Sequence, residues 1–149
     1  MLTPWYVTGF CDGEANFTYS KAGGTFNLYF SIREKKGNVQ IIQKIQEFFD
    51  SVGTIYRNKE NLADKKTGAH QQSTVFFRVT RSAELIKIIE HFDKYPLQSR
   101  KKEGYLLWRQ MVLHKIENYR NIDYALLEKL AGQLAALKGA WRTSATGRE

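Results

Sequence analysis

The fold of this chain is decided near its start, by the stretch Tyr6-Val7-Thr8-Gly9-Phe10-Cys11-Asp12-Gly13-Glu14-Ala15-Asn16. Read as a helix from about Pro4 to Gly13, it places Gly9 and Gly13 four residues apart on one face. Because neither glycine has a side chain, a second helix can approach that face almost backbone to backbone. The spacing therefore predicts a tight seam between two helices.

Two acids lie at the foot of this predicted seam. Asp12 and Glu14 come where Gly13 and a β-patterned run from Asn16 to Ser20 end the helix. Carboxylates held beside an interface are suited to binding Mg²⁺, which takes oxygen ligands and keeps several waters. The alternative is a short amphipathic helix closed by a glycine, with both acids merely solvated.

The composition indicates one globular domain over residues 1–149. Hydrophobic residues make up 42% of the chain and aromatic residues 13%, which argues against disorder and is enough for a real core. No apolar run approaches membrane-spanning length, and no targeting segment is seen before the motif helix. The single cysteine, Cys11, excludes an intramolecular disulfide and a cysteine-rich zinc site, and His70, His91 and His114 lack the spacing of metal ligands.

The net charge points to a polyanionic partner. Lys and Arg number 23 against 15 Asp and Glu, which gives a net charge of +8 and a pI near 9.6. Phosphate contacts release counterions, so a basic domain of this size favours nucleic acid. A membrane surface would also attract the charge, but no basic amphipathic helix has an apolar face left for lipid.

Hydrophobic periodicity predicts the element order α-β-β-α-β-β followed by helices, with a Lys21-Ala22-Gly23-Gly24 turn in the first hairpin. A polar loop from Asn61 to Gln72 separates the second pair of strands, and a loose tail is expected over residues 142–149. After the motif helix we expect strands at Asn16–Ser20, Thr25–Arg33, Thr54–Asn58 and Ser73–Thr80, and helices from Lys36 or Gly37 to Phe49, at Ala83–Phe92, at about Lys102–Ile116, and from an Asp123 cap to about Lys138.

The second strand alternates almost without fault between an apolar and a polar face. The apolar face must be covered by helices, whereas the polar face offers hydroxyl, amide, phenol and guanidinium groups suited to hydrogen bonding. The apolar residues are Phe26, Leu28, Phe30 and Ile32, and the polar residues are Thr25, Asn27, Tyr29, Ser31 and Arg33.

The motif resembles that of the LAGLIDADG homing endonucleases, with Val7 to Ala15 matching its nine positions. Ala15 replaces the usual final glycine.

Two further segments resemble the family in the same order. Phe30 to Lys35 is similar to the segment whose polar residue, commonly Gln, approaches the cleavage site, and that position is Glu34 here. Tyr95 to Lys102 is similar to the basic turn after the last strand. The resemblance implies an α+β, αββαββα fold with a saddle-shaped antiparallel sheet and, here, additional C-terminal helices.

A single motif per chain leaves the motif helix without an internal partner. We therefore expect a C₂ homodimer in which this helix meets its copy and brings two Glu14 side chains near the axis. The residues expected at the dimer interface are Thr8, Gly9, Asp12 and Gly13.

The resemblance also implies the chemistry, which is site-specific hydrolysis of both DNA strands with short 3′ overhangs. Mg²⁺ is the expected cofactor, held by Glu14 and the backbone oxygen of Gly13, with Ca²⁺ or Mn²⁺ as substitutes for binding or activity. Arg100, or failing it Lys101, is expected to offset charge in the transition state. Glu34 is a further catalytic candidate because a second acid there changes how metal or water is held. Asp12 is assigned to capping and the seam.

The polar sheet face is the expected DNA-binding surface, lying in the major groove. A nine-residue strand spans about 30 Å, or about nine base pairs, so that two subunits cover a long pseudo-palindromic site. Asn27 is suited to adenine, Arg33 and Arg78 to guanine, and Lys65 and Lys66 to phosphates. Strand parity leaves open which faces Arg57 and Arg78 take. The remaining candidates are Asn16, Thr18, Ser20, Thr25, Tyr29, Ser31, Tyr56 and Asn58.

Two other functions remain open on the same fold. An intron RNA maturase would need no nuclease site, and the intact Glu14 argues mildly against it. A non-catalytic DNA-binding regulator would need neither Glu14 nor the cluster Arg100-Lys101-Lys102. The expected compartment is intracellular, and mitochondrial or chloroplast if the gene lies in an organelle intron.

Overall fold

A computed structural model describes residues 1–58 and 73–146, with side chains up to Trp141. It confirms the αββαββα unit followed by two further helices. The elements are α1 (Pro4–Glu14), β1 (Ala15–Ala22), β2 (Thr25–Lys35), a short 3₁₀ turn (Lys36–Asn38), α2 (Val39–Phe48), β3 (Thr54–Arg57), β4 (Thr74–Val79), α3 (Ser82–Lys94), α4 (Lys101–Glu117) and α5 (Tyr124–Thr146).

Local sequence fixes where α1 begins. Thr3 is its N-cap, and the Thr3 hydroxyl accepts a hydrogen bond from the Tyr6 backbone N–H. Pro4 takes the first helical position, where the missing N–H costs nothing because that group has no partner within a helix anyway. Val7 and Cys11, one helical turn apart, are fully buried and fasten α1 to the domain.

The four strands form one antiparallel sheet in the order β1-β2-β4-β3. Gly23 and Gly24 make the two-residue turn between β1 and β2, and both have positive φ, +58° and +80°. Such a turn matches the twist of the flanking strands and favours glycine at both positions. The register is thereby set, with Ala15 opposite Ile32 and Ala22 opposite Thr25.

The core lies between one face of the sheet and the helices. Phe17 is its centre, with ring centroids 5.0 to 5.4 Å from those of Phe30, Phe92, Tyr105 and Trp108. The predicted apolar face of β2 is buried throughout, since Phe26, Leu28, Phe30 and Ile32 are all at most 5% exposed. The opposite face of the sheet is therefore the one left for a partner.

The last helix is longer than predicted. The helix α5 continues to Thr146, past its predicted end near Lys138 and into the segment expected to be a loose tail. Residues 147–149 lie outside the described part. Trp141 explains the extension: its ring packs so closely on α4 that a Cβ added to Gly104 would lie 3.2 Å from it. The contact between Trp141 and Gly104 joins residues far apart in the sequence, so hydrophobic periodicity near the C-terminus could not predict it. Within the described residues, no helix has the length and apolar character needed to cross a membrane.

Candidate active site and nucleic-acid interface

The helix α1 ends at Glu14, whose side chain is exposed. Within the described part of the chain, the Glu14 carboxylate has no hydrogen-bond or ion-pair partner. The next residue, Ala15, donates its backbone N–H to the carbonyl of Cys11 and begins β1. Glu14 thus stands at the junction of helix and sheet with its oxygens free to take a ligand.

The carboxylate of Asp12, by contrast, is fully engaged. It accepts hydrogen bonds from the backbone N–H groups of Gln98 and Ser99, at 2.9 and 3.0 Å, and from the Ser99 hydroxyl at 2.5 Å. Burial alone raises the pKa of Asp12, but these hydrogen bonds and the charge of Lys101 outweigh it and hold the pKa below its ordinary value. Asp12 therefore ties the end of α1 to the turn that begins α4, and its oxygens are not free for a metal ion.

Lys101, the first residue of α4, reaches the same helix end. Its Nζ donates to the carbonyl oxygen of Cys11 at 3.2 Å. Burial lowers the pKa of Lys101, and the charges of Asp12 and Glu14 oppose the shift without cancelling it. The site thus combines a free carboxylate with a partly desolvated ammonium, held where the C-terminal end of a helix favours a cation.

Arg100 takes a different direction from Lys101. Its Cζ lies 5.7 Å from the centroid of the Trp141 ring, over that ring. Trp141 of α5 therefore contacts the guanidinium of Arg100, which was the first choice for the cation that offsets charge in the transition state. The geometry of the site favours Lys101 over Arg100 for that place.

Glu34 lies on the helix side of the sheet. In the register it is opposite the buried Val75, and its Oε1 accepts a hydrogen bond from Asn38 Nδ2 at 3.3 Å. Ile32 is opposite Ala15, the residue that follows Glu14. Glu34 is therefore two residues, or about 6.6 Å of strand, beyond the point where α1 meets the sheet.

The predicted seam face of α1 is open. A Cβ added to Gly9 or Gly13 would meet no atom within 4 Å among those described. Trp5 and Tyr6, 55% and 49% exposed, lie on the same helix, and Tyr6 stacks on Phe10 with centroids 6.4 Å apart. Neither aromatic residue was among the predicted interface residues. The readable signal was spacing, because residues three and four positions before Gly9 share its helix face, and exposed rings on such a face are typical of an interface.

Thr8 does not belong to that face, which corrects the prediction. It is 2% exposed and faces its own domain. The Thr8 hydroxyl donates to the carbonyl of Tyr95 at 2.8 Å and lies 3.0 Å from His91 Nε2. Since a hydroxyl has one proton, His91 Nε2 is the donor in that second bond. A seam contact from the Thr8 side chain is excluded by this burial.

The polar side chains predicted for the open sheet face share one face in the structure. Residues opposite each other in the register share a face, so Ser31 links Asn16 on β1 to Arg78 on β4. The same pairing places Arg57 opposite Val75, on the helix side. The parity question is thus settled: Arg78 shares the polar face and Arg57 does not. Sharing that face are Asn16, Thr18, Ser20, Thr25, Asn27, Tyr29, Ser31, Arg33, Tyr56 and Arg78.

Four of the candidate DNA contacts differ from the others, namely Ser31, Asn58, Lys65 and Lys66. Ser31 is only 9% exposed, covered within the sheet, so the expectation that it touches DNA directly is not supported by its burial. Asn58 follows β3, and its Nδ2 donates to Thr74 Oγ1 at 3.3 Å at the rim of the face. Lys65 and Lys66 lie outside the described residues.

Comparison with known proteins identifies one family. The family model of the LAGLIDADG endonuclease matches residues 7–112. A curated relative from Neurospora crassa, named probable intron-encoded endonuclease 2, is 30% identical over 156 residues, which cover 99% of this chain and 31% of the relative. An uncharacterized 50.9 kDa protein in ND4 intron 1 of Podospora anserina is 27% identical, over 75% of this chain and 24% of its own.

Solved structures give the same fold. The meganuclease I-CpaMI bound to uncleaved DNA is 26% identical with a TM-score of 0.69, and the match covers 87% of this chain and 43% of that one. The homing endonuclease I-TnaI is 21% identical, covers 95% of this chain and 97% of its own, and has a TM-score of 0.72, so it shows the fold alone.

The present chain spans about a quarter to a third of the curated relatives and less than half of I-CpaMI, but almost the whole of I-TnaI. The family match covers more than half of the chain, including α1 from Val7 onward with both of its glycines, the four strands and Lys101. By sequence match and by fold, this chain belongs to the LAGLIDADG endonuclease family.

Proposed function

We propose that this protein is a site-specific double-strand DNA endonuclease, a homing endonuclease that acts as a homodimer on a long pseudo-palindromic site. The reaction is Mg²⁺-dependent phosphodiester hydrolysis that leaves short 3′ overhangs. The observation that carries the proposal is the free Glu14 carboxylate beside the Lys101 ammonium, at the foot of a helix whose glycine face is open.

The dimer supplies what one chain lacks. Hydrolysis of two strands calls for two acids, and one chain offers a single Glu14 at the end of α1. A second copy packed on Gly9 and Gly13 brings the second Glu14 to the same axis. Trp5 and Tyr6 flank the seam and bury their exposed rings against the partner helix.

The donor set fits Mg²⁺. In the described residues of one chain, no group of three or more acidic, histidine or cysteine side chains comes together. Mg²⁺ would be held by the Glu14 carboxylate and the Gly13 carbonyl of each chain, which are the oxygen ligands that this ion prefers. When bound, Mg²⁺ polarises the phosphoryl oxygens and lowers the pKa of a water.

The protein residues have separate tasks. Lys101 offsets charge on the phosphate in the transition state and donates the Nζ proton to the leaving oxygen, which its lowered pKa favours. Asp12 fixes the position of Lys101 by bonding the turn just before it. Glu34, close to the meeting point of α1 and the sheet, orders water at the edge of the site.

The polar sheet face reads the DNA. The strand β2 has eleven residues and spans about 36 Å at about 3.3 Å per residue, or roughly ten base pairs. Side chains on this face reach base edges in the major groove, where all four base pairs are distinguishable. The names of the curated relatives support a gene carried in an intron. We therefore expect the protein to act inside the cell, and inside the organelle when the intron is organellar.

Glu14→Gln tests the catalytic proposal. The change keeps the shape of the side chain and removes the charge that Mg²⁺ requires, so cleavage of supercoiled DNA carrying the target should fall by orders of magnitude. Affinity for the target, measured in Ca²⁺, should change modestly. Glu90→Gln, at an exposed acid on α3, is the matched control and should cut normally.

Normal cutting by Glu14→Gln would refute the site. Target binding by the wild-type chain without cleavage in Mg²⁺ would instead indicate the regulator, and a splicing assay with the host intron would then identify a maturase.

A further inference from the structure

Two arginines on the polar sheet face lie over aromatic rings. Arg33 Cζ is 5.0 Å from the Phe76 ring centroid, and Arg78 Cζ is 4.5 Å from that of Tyr29. In the described residues neither guanidinium makes a hydrogen bond or ion pair. Arg109 is different, because Asp93 holds it through three hydrogen bonds of 2.8 to 3.0 Å. The donors of Arg33 and Arg78 are oriented by a ring and still free to bind.

Phe76 is unexpected at its position. The register places it between Arg33 on β2 and Tyr56 on β3, on the face opposite the core. Its ring is half-buried, whereas its neighbours Val75 and Phe77 are at most 1% exposed on the helix side. An apolar ring in the middle of a hydrogen-bonding face has no role in the core, and its visible contact is the guanidinium of Arg33.

We propose that Arg33 with Phe76, and Arg78 with Tyr29, are two preassembled guanine-reading units, and that Phe76 also contacts a thymine methyl beside its guanine. This rests on the proposed function. Arginine recognises guanine through two parallel hydrogen bonds to O6 and N7, and its flat face stacks on a ring at the same time. An aromatic ring that already restricts the guanidinium plane lowers the conformational entropy that the arginine side chain loses on binding.

The register sets the spacing of the two units. Arg33 and Phe76 form one cross-strand row, and Ser31 and Arg78 form the next, two residues along β2. Rows two residues apart are about 6.6 Å from each other. This is close to two base-pair steps of about 3.4 Å each. The units therefore read guanines about two base pairs apart in each half-site.

The experiment selects target duplexes from a randomised DNA library with the full chain in Ca²⁺, and then measures affinity for every single-base change in the selected site. The wild type should require two guanines of the stated spacing in each half-site. Arg33→Lys and Phe76→Leu should weaken the same guanine preference, and Arg78→Lys and Tyr29→Leu the other. Each loss should be roughly tenfold to a hundredfold in discrimination.

Two controls separate reading from general binding. Tyr29→Phe keeps the ring and should keep the guanine preference. Tyr56→Leu removes another ring from the row of Arg33 and Phe76. Among the described residues no guanidinium lies over the Tyr56 ring, so both guanine preferences should be unchanged whatever the effect on overall affinity.

The outcomes are distinct. If the ring variants lower affinity equally for all sequences, or if the selected site has no guanine that depends on Arg33 or Arg78, the reading units are refuted while the endonuclease proposal stands. If the wild type selects no sequence at all, the proposed function fails and the units fail with it.

Discussion

Replacement of Lys101 by methionine separates the two cations at the start of α4. Methionine keeps most of the buried stem of lysine and removes the charge. The lost contact is one hydrogen bond to the Cys11 carbonyl, and that oxygen still accepts from the Ala15 N–H. No buried group is left unpaired, so the free energy of unfolding should fall by no more than about 1–2 kcal/mol.

The expected effect on cleavage is much larger. Loss of a positioned proton donor typically costs about 10² to 10⁴ in rate, and loss of one charge-stabilising donor about 10² to 10³. We therefore expect the single-turnover rate of Lys101→Met to fall by at least about 10², with affinity in Ca²⁺ within a few fold. Arg100→Met is the matched control and should stay within about tenfold, because its guanidinium lies over Trp141.

The pH dependence gives a second readout. Burial lowers the pKa of Lys101, so its proton is lost at a lower pH than from an ordinary lysine. The wild-type rate should therefore decline on the alkaline side below the pH where an exposed lysine titrates. Lys101→Arg stays charged at every working pH, so this alkaline decline should disappear.

The assay is single-turnover cleavage of the target in Mg²⁺ from neutral to alkaline pH, with thermal unfolding of each variant as the check on folding. A Lys101→Met protein that folds and cuts at the wild-type rate would refute the assignment. A slow Arg100→Met beside a fast Lys101→Met would reverse the two roles.

Three further predictions concern assembly and stability. Gly9→Leu should leave the fold of one chain intact, since no described atom lies within 4 Å of the new Cβ. It should weaken the dimer by roughly 1–3 kcal/mol through overpacking, and unchanged sedimentation would place the seam elsewhere. Asp12→Asn should lower the free energy of unfolding, measured in urea, by about 2 kcal/mol, because an amide cannot accept all the hydrogen bonds from Gln98 and Ser99. A variant that is stable but inactive would instead assign Asp12 to catalysis. Burial lowers the pKa of His91 from 6.5 to about 4. Between these two pH values the unfolded chain binds more protons than the folded chain, so the free energy of unfolding should fall as the pH drops from about 6.5 to about 4. His91→Gln should remove this part of the pH dependence, and an unchanged stability profile would contradict the prediction.

The sequence alone determined the parts of the protein that depend on local pattern. The alternation of β2 predicted a buried and a polar face, and the structure has both, although Ser31 on the polar face is only 9% exposed. The glycine spacing predicted an open helix face, and nothing described in the chain lies against Gly9 or Gly13. These results follow because helix and strand periods act within a few residues.

Tertiary packing decided the rest. Thr8 turned inward because α3 placed His91 and Tyr95 beside it, and Ser31 was covered by neighbours on two other strands. Arg100 and Lys101 are adjacent in sequence and look equivalent there. Only the packing of α5 through Trp141, and of α4 against the end of α1, sends one to a ring and the other to the candidate active site. Arg100 and Trp141 are 41 positions apart in the sequence, and Lys101 and Cys11 are 90 positions apart. No local periodicity acts over such separations.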